Sequence, residues 1–124
     1  MDGKRASLQD VIQQVRSHPD INNAGMILIH NGFVRASDKS GSRHVEGVCV
    51  EADRNEIKKV QDWASGQPGI VAVAIEAFDG DLRVGDHLLF IVMAGDIREN
   101  VFPVMRETIE RIKGSGVKKR EIYR

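Results

Sequence analysis

The residues best suited to chemistry lie near the end of the chain, in Ile112-Lys113-Gly114-Ser115-Gly116-Val117-Lys118-Lys119-Arg120-Glu121. An amphipathic helix runs into Lys113. A short glycine hinge follows, then a strand-like segment with two more lysines and an arginine. Cations on either side of a tight turn can hold an anion or exchange a proton. Each part also has a plainer use. A lysine at a helix C-terminus is favoured by roughly 0.3–1 kcal/mol, and a glycine after the last turn is an ordinary helix stop.

Other candidate groups are weaker. Cys49 sits between Val48 and Val50 in a strand and reads as a buried structural thiol. His18, His30, His44 and His87 share no metal-ligand spacing, so no metal is expected. Asp79 to Asp86 holds acids and glycines, but its spacing is that of a hairpin turn and not of a calcium loop. Asn31-Gly32-Phe33-Val34-Arg35 follows a buried strand, and loops at strand ends often carry function.

These groups need a scaffold, and the chain is long enough to supply one. Its 124 residues fit one domain over 1–124, and 41% hydrophobic residues can fill a core. A single cysteine excludes an internal disulfide framework. Zero formal net charge and 5% aromatic residues argue against a nucleic-acid surface built on Lys118, Lys119, Arg120 and Arg124. No apolar run approaches the ~20 residues that span a bilayer. Met1 to Arg5 leads into an amphipathic helix, not a secretory signal, so a cytoplasmic protein is expected.

Periodicity predicts the elements. Leu8, Val11, Ile12 and Val15 repeat at helical spacing after Ser7 as N-cap, and Pro19 ends that helix. Ala24 to His30 reads as a buried strand, Ala36 to Arg43 as a mobile polar loop, and Glu46 to Glu51 as a second strand. Asp53 can cap a helix whose inner face is Ile57, Val60, Trp63 and Ala64. Gly69 to Phe78 follows as a strand, with small Ala72 and Ala74 on one face. Leu82 to Val84 is a short strand and His87 to Ala94 a central one. Val101, Val104, Met105, Ile109 and Ile112 stripe the last helix. Pro103 demands that regular helix start near Asn100. Val117 to Tyr123 closes the chain as a strand. The order α-β-β-α-β-β-β-α-β predicts an α+β domain, with helices on one face of a mixed or antiparallel sheet.

Several short motifs, taken in order, resemble the large, catalytic subunit of molybdopterin synthase, from about Ala24 to Glu121. Gly32-Phe33-Val34-Arg35 is similar to that family's strand-end Gly-x-Val-Arg. Glu51 closes the next strand as its glutamate does. Gly80-Asp81-Leu82-Arg83-Val84-Gly85-Asp86 resembles its Gly-x-Leu-x-x-Gly-Asp turn. Arg98 opens the last helix, and Lys113 with Lys119-Arg120-Glu121 resembles its terminal Lys…Lys-Arg-Glu. Departures stand beside these matches: Ile97 where the family has histidine, and Lys118 where it has an aromatic.

The resemblance implies an α/β-hammerhead fold and a homodimer with a ubiquitin-like small subunit docked at each end. That subunit's C-terminal thiocarboxylate would pass sulfur to cyclic pyranopterin monophosphate. It implies Lys113 and Lys119 as catalytic residues and Arg35, Arg98 and Arg120 as substrate contacts, with no cofactor. Arginine suits bidentate phosphate contact, and a lysine crowded by cations can exchange a proton. At ~1.5 Å per residue, Arg98 and Lys113 stand roughly 22 Å apart on one helix. If both serve one pocket, Arg98 comes from the other protomer. The departures motivate a second expectation, a dimeric paralogue that binds without catalysing.

Overall fold

A computed structural model describes residues 6–123. The expectations for Met1 to Arg5 and for Arg124 lie outside the described residues. The elements are α1 (Leu8–Arg16), β1 (Met26–Phe33), β2 (Val45–Ala52), α2 (Arg54–Ser65), β3 (Ile70–Ala77), β4 (Gly80–Arg83), β5 (His87–Gly95), α3 (Arg98–Arg111) and β6 (Val117–Tyr123). A 3-10 turn, Ile21–Asn23, precedes β1, and a π-helical turn, Ile112–Gly116, joins α3 to β6. This is the expected order of helices and strands.

The strands form two three-stranded sheets, ordered β1-β5-β3 and β4-β2-β6, and every pair in them is antiparallel. The α+β class is therefore observed. The longer helices α2 and α3 share one face of the first sheet, packing on Val73, Ala77, Leu89, Ile91 and Met93. The short α1 lies on the opposite face. There Val11 and Val15 join Ala72 and Ala74 in a second cluster that also takes Val48, Val50 and Leu82 from the other sheet. Small alanines let that layer close up.

Both predicted helix starts are present. Ser7 accepts from the Asp10 N–H and Asp10 answers in a capping box, while Asp53 accepts from the Glu56 N–H at 3.1 Å.

Five local expectations are corrected. First, the Ala24–His30 strand starts at Met26 and runs through Phe33. Asn31-Gly32-Phe33 thus belongs to the strand and not to a loop, because its pairing with β5 continues to His87. Lying at a sheet edge, β1 is half-buried and not buried.

Second, the Asp79–Asp86 segment is not a single hairpin turn. Gly80 to Arg83 form β4 against β2, and the turn is confined to Arg83–Asp86, where the Asp86 N–H donates to the Arg83 carbonyl at 2.9 Å. Third, Ala36 to Arg43 is folded back by hydrogen bonds. The Asp38 N–H donates to Arg43 and the Val45 N–H to Ala36.

Fourth, α3 begins at Arg98, which puts Pro103 in its second turn. Pro103 is exposed there, on the solvent side of the helix. Fifth, Gly114-Ser115-Gly116 is the end of the π-helical turn and not a hinge beyond the helix. Gly116 is buried, and a Cβ on it would stand 3.0 Å from Ile57 of α2. The missing side chain lets the wide turn sit against α2.

Candidate functional site

The predicted site residues divide by the geometry of α3 and β6. Antiparallel pairing of β1 with β5 sets Met26 opposite Gly95 and Phe33 opposite His87. The first sheet therefore has a Met26/Gly95 end and a Phe33/His87 end. Arg98 follows Gly95 closely and opens α3 at the first end. Its side chain is 79% exposed and pairs with Glu99 at 3.7 Å.

Arg35 lies at the opposite end, just after Val34, which exchanges backbone bonds with Asp86 and Gly85. Its Nε donates to the Ser37 carbonyl at 3.1 Å. Lys113 sits in the wide turn, exposed, with its charge felt by His30 on β1. Arg98 therefore stands apart from Arg35, at the other end of the sheet, and from Lys113, at the other end of α3.

Strand alternation separates the remaining pair. Lys119 stands opposite Val50, whose side chain is in the core, and Arg120 stands opposite Cys49 on the other face. Directly opposed residues share a face, so Lys119 and Arg120 project to opposite sides of the edge strand β6. Lys118 joins Arg120 on the outer face, opposite Glu51. This alternation also splits the basic stripe that a nucleic-acid surface would need. Cys49 is half-buried and not buried as expected, because β2 turns it away from the core.

Two open depressions flank the wide turn. One, of about 410 Å³, is lined by Glu51, Asp53, Arg54, Ser115 and Lys118 among others. The second, of about 370 Å³, lies between Glu56, Lys59 and Arg111. Neither is lined by Lys113, Lys119, Arg35, Arg98 or Arg120. Arg111 lies over the Trp63 ring at 4.0 Å and pairs with Glu107, which anchors the end of α3 to α2.

The residue missed in the sequence is His30. Burial, and then the positive charge of Lys113, hold its imidazole below the ordinary histidine range. The folded state therefore binds a proton at His30 less readily than the unfolded chain. The linked stability is present above the ordinary histidine pKa and falls as pH drops below it. The available signal was the row Met26, Leu28, His30, Gly32, in which one polar residue interrupts an apolar strand face.

With this geometry in place, comparison with known proteins identifies the scaffold. The family described as MoaE protein matches residues 2–115.

The chain belongs to the MoaE protein family.

That is the molybdopterin synthase large-subunit family that the motifs resemble. The match includes Arg35, Arg98 and Lys113 and stops before β6, so Lys119 and Arg120 lie beyond it. Among solved structures, molybdopterin synthase from Staphylococcus aureus has a TM-score of 0.79 at 20% identity, covering 98% of this chain and 88% of that one. The molybdopterin biosynthesis MoaE protein from Burkholderia ambifaria MC40-6 has a TM-score of 0.73 at 18% identity, covering 97% and 84%. A complex of subunits 1 and 2 of molybdopterin-converting factor from Helicobacter pylori 26695 has a TM-score of 0.69 at 18% identity, covering 96% and 84%. No curated protein matches the chain at a significant level.

Proposed function

We propose that this chain is the sulfur-transferring large subunit of a molybdopterin synthase. Its substrate would be cyclic pyranopterin monophosphate, and its sulfur donor the C-terminal thiocarboxylate of a ubiquitin-like small subunit. The carrying observation is the family match over residues 2–115, with Arg35, Arg98 and Lys113 inside it. The Helicobacter pylori relative, solved as a complex of two subunits, supports a small-subunit partner. Sulfur that arrives on a partner's tail requires no thiol from this chain, which agrees with a lone, half-buried Cys49. A reduced, cytoplasmic setting suits that free thiol.

The roles follow from placement. Lys113 stands exposed on the wide turn, where it can give a proton to the oxygen that leaves as sulfur enters. Arg35 and Arg98 supply guanidinium groups for the substrate's phosphate or the tail's carboxylate. Lys119 contributes from the inner face of β6, and Arg120 from its outer face.

A homodimer completes the pocket. Arg98 and Lys113 are roughly 22 Å apart along α3, so one small substrate reaches both only if Arg98 comes from a second copy. The surface beside Arg98 supports this, because Ile97 and Phe102 are each 53% exposed there. Large apolar side chains left in solvent mark contact surfaces.

This arrangement makes a prediction for mixed dimers. Arg98→Ala and Lys113→Ala proteins are each expected to be inactive. Co-refolded in equal amounts, half the dimers are mixed and carry one intact site of two, so about a quarter of wild-type activity returns. No recovery, with mixed dimers shown by mass spectrometry, places both residues in one protomer's site.

A second reading, a dimeric binding module without catalysis, is favoured by Ile97 and Lys118 at positions where the family carries histidine and an aromatic. Complementation decides between the two. Expression of the wild-type chain in a strain lacking its own large subunit is expected to restore molybdenum-enzyme activity, and Lys113→Ala to fail. Rescue by Lys113→Ala as strong as by wild type supports the binding module.

A further inference from the structure

The segment 36–44, between β1 and β2, is a small hairpin seated on the end of β6. Ser37 and His44 pair as an antiparallel bridge. The Val45 N–H donates to the Ala36 carbonyl at 2.9 Å and the Asp38 N–H to the Arg43 carbonyl at 3.1 Å. At the tip, Asp38 Oδ1 accepts from the Ser40 hydroxyl at 2.6 Å and from the Ser42 N–H at 3.3 Å. Arg43 ties this hairpin to the sheet. Its guanidinium carbon lies 3.7 Å from the centre of the Tyr123 ring. Tyr123 closes β6 opposite Val45, packs against the core cluster and donates its hydroxyl to Glu121 at 3.0 Å. The ring is thus held in place, and the cation rests on its face.

Arg35 stands at the base of the hairpin. Its Nε donates at 3.1 Å to the carbonyl of Ser37, the bridge residue. A guanidinium can grip an oxyanion by an edge that includes Nε or by the edge made of its two terminal nitrogens. The bond to Ser37 occupies the Nε edge. Among the described residues, no hydrogen bond or ion pair engages the terminal nitrogens. The Ser37 carbonyl therefore leaves Arg35 its end-on edge, and the hairpin that carries Ser37 sets its direction.

We propose that Arg43 is a positioning residue: seated on Tyr123, it latches the 36–44 hairpin to β6 and so aims the end-on edge of Arg35 at an anionic group. This role rests on the reading of Arg35 as a substrate contact and adds a residue that acts through it. A guanidinium already aimed loses little freedom when the anion binds. An exposed cation–π contact changes the ratio of latched to open hairpin by a factor of about two to five. Apparent affinity scales with the latched fraction, so release of the latch weakens binding by at most that factor. Arg43 takes no part once the anion is bound, so turnover at saturation stays the same.

The test uses the full chain in steady-state sulfur transfer, with KM measured for the pyranopterin substrate and for the thiocarboxylated small subunit in turn. The KM that Arg35→Ala raises shows which anion Arg35 holds; if it raises neither, the proposal falls. Arg43→Ala is expected to raise that same KM by about two- to fivefold with kcat unchanged, and Arg43→Lys, which keeps a cation for the ring, to recover part of the loss. In an Arg35→Ala background, Arg43→Ala is expected to change nothing further. An unmoved KM in Arg43→Ala overturns the proposal. So does an equal rise in the Arg35→Ala background, which marks a general loosening of the fold. A measurement without substrate separates this role from the function. The Nε–H signal that Arg35→Lys removes is followed by NMR, and its exchange with water is expected to quicken by about two- to fivefold in Arg43→Ala. Quickened exchange in a chain that forms no dithiolene keeps the latch and refutes the function, whereas product with unchanged exchange keeps the function and refutes the latch.

Discussion

Lys113→Ala is expected to lower dithiolene formation by at least about 100-fold, the low end of what a positioned acid or base contributes. The protein should stay folded. Lys113 is exposed on the wide turn, and exposed substitutions usually change stability by no more than about 0.5 kcal/mol. The favourable placement of a cation at a helix C-terminus adds at most about 1 kcal/mol to that. An equal melting temperature with lost product therefore separates chemistry from stability. Lys113→Arg keeps the charge but gives up its proton far less readily, so it should recover substrate affinity more than turnover. If Lys113→Ala turns over as fast as wild type, the residue is only a helix-terminal charge.

Phe90→Ala is expected to cost about 3–5 kcal/mol, the usual price of emptying a buried aromatic site. Phe90 is fully buried in central β5. Its ring meets Phe78 edge-on at 5.1 Å and His87 at 4.8 Å. It also belongs to the cluster that ties the two sheets and α1 together. The truncation leaves a cavity that neither sheet can close without losing register. For a chain of this size the melting temperature should fall by roughly 10–20 °C. A drop below about 3 °C by calorimetry shows that the site collapses around the smaller side chain.

Much of this was legible before any coordinates. Period and punctuation located each helix and strand, and Ser7 and Asp53 announced their helices, because caps and periodicity are local signals. Pairing is not local. Gly80 and Gly85, at φ 97° and 93°, mark bends, but their residue types do not say that β4 leaves for β2 instead of pairing with β5. In the same way, Gly114-Ser115-Gly116 suits a helix stop and a π-helical turn equally. The deciding contact, Gly116 against Ile57, is with a distant helix.

The site followed the same rule. Its cations could be named by type. That Lys119 and Arg120 alternate follows from the strand alone, but that Lys119 faces inward and Arg120 outward depends on the register with β2. His30 escapes a sequence reading because its burial depends on packing by elements far away in the chain.

The most direct measurement is sulfur transfer with defined components. Purified chain is mixed with thiocarboxylated small subunit and cyclic pyranopterin monophosphate, and dithiolene is quantified beside an established molybdopterin synthase. The expected result is product that grows with donor through two sulfur transfers per substrate and vanishes in Lys113→Ala. A folded dimer that binds the small subunit yet forms no dithiolene, while the established enzyme does, contradicts the account.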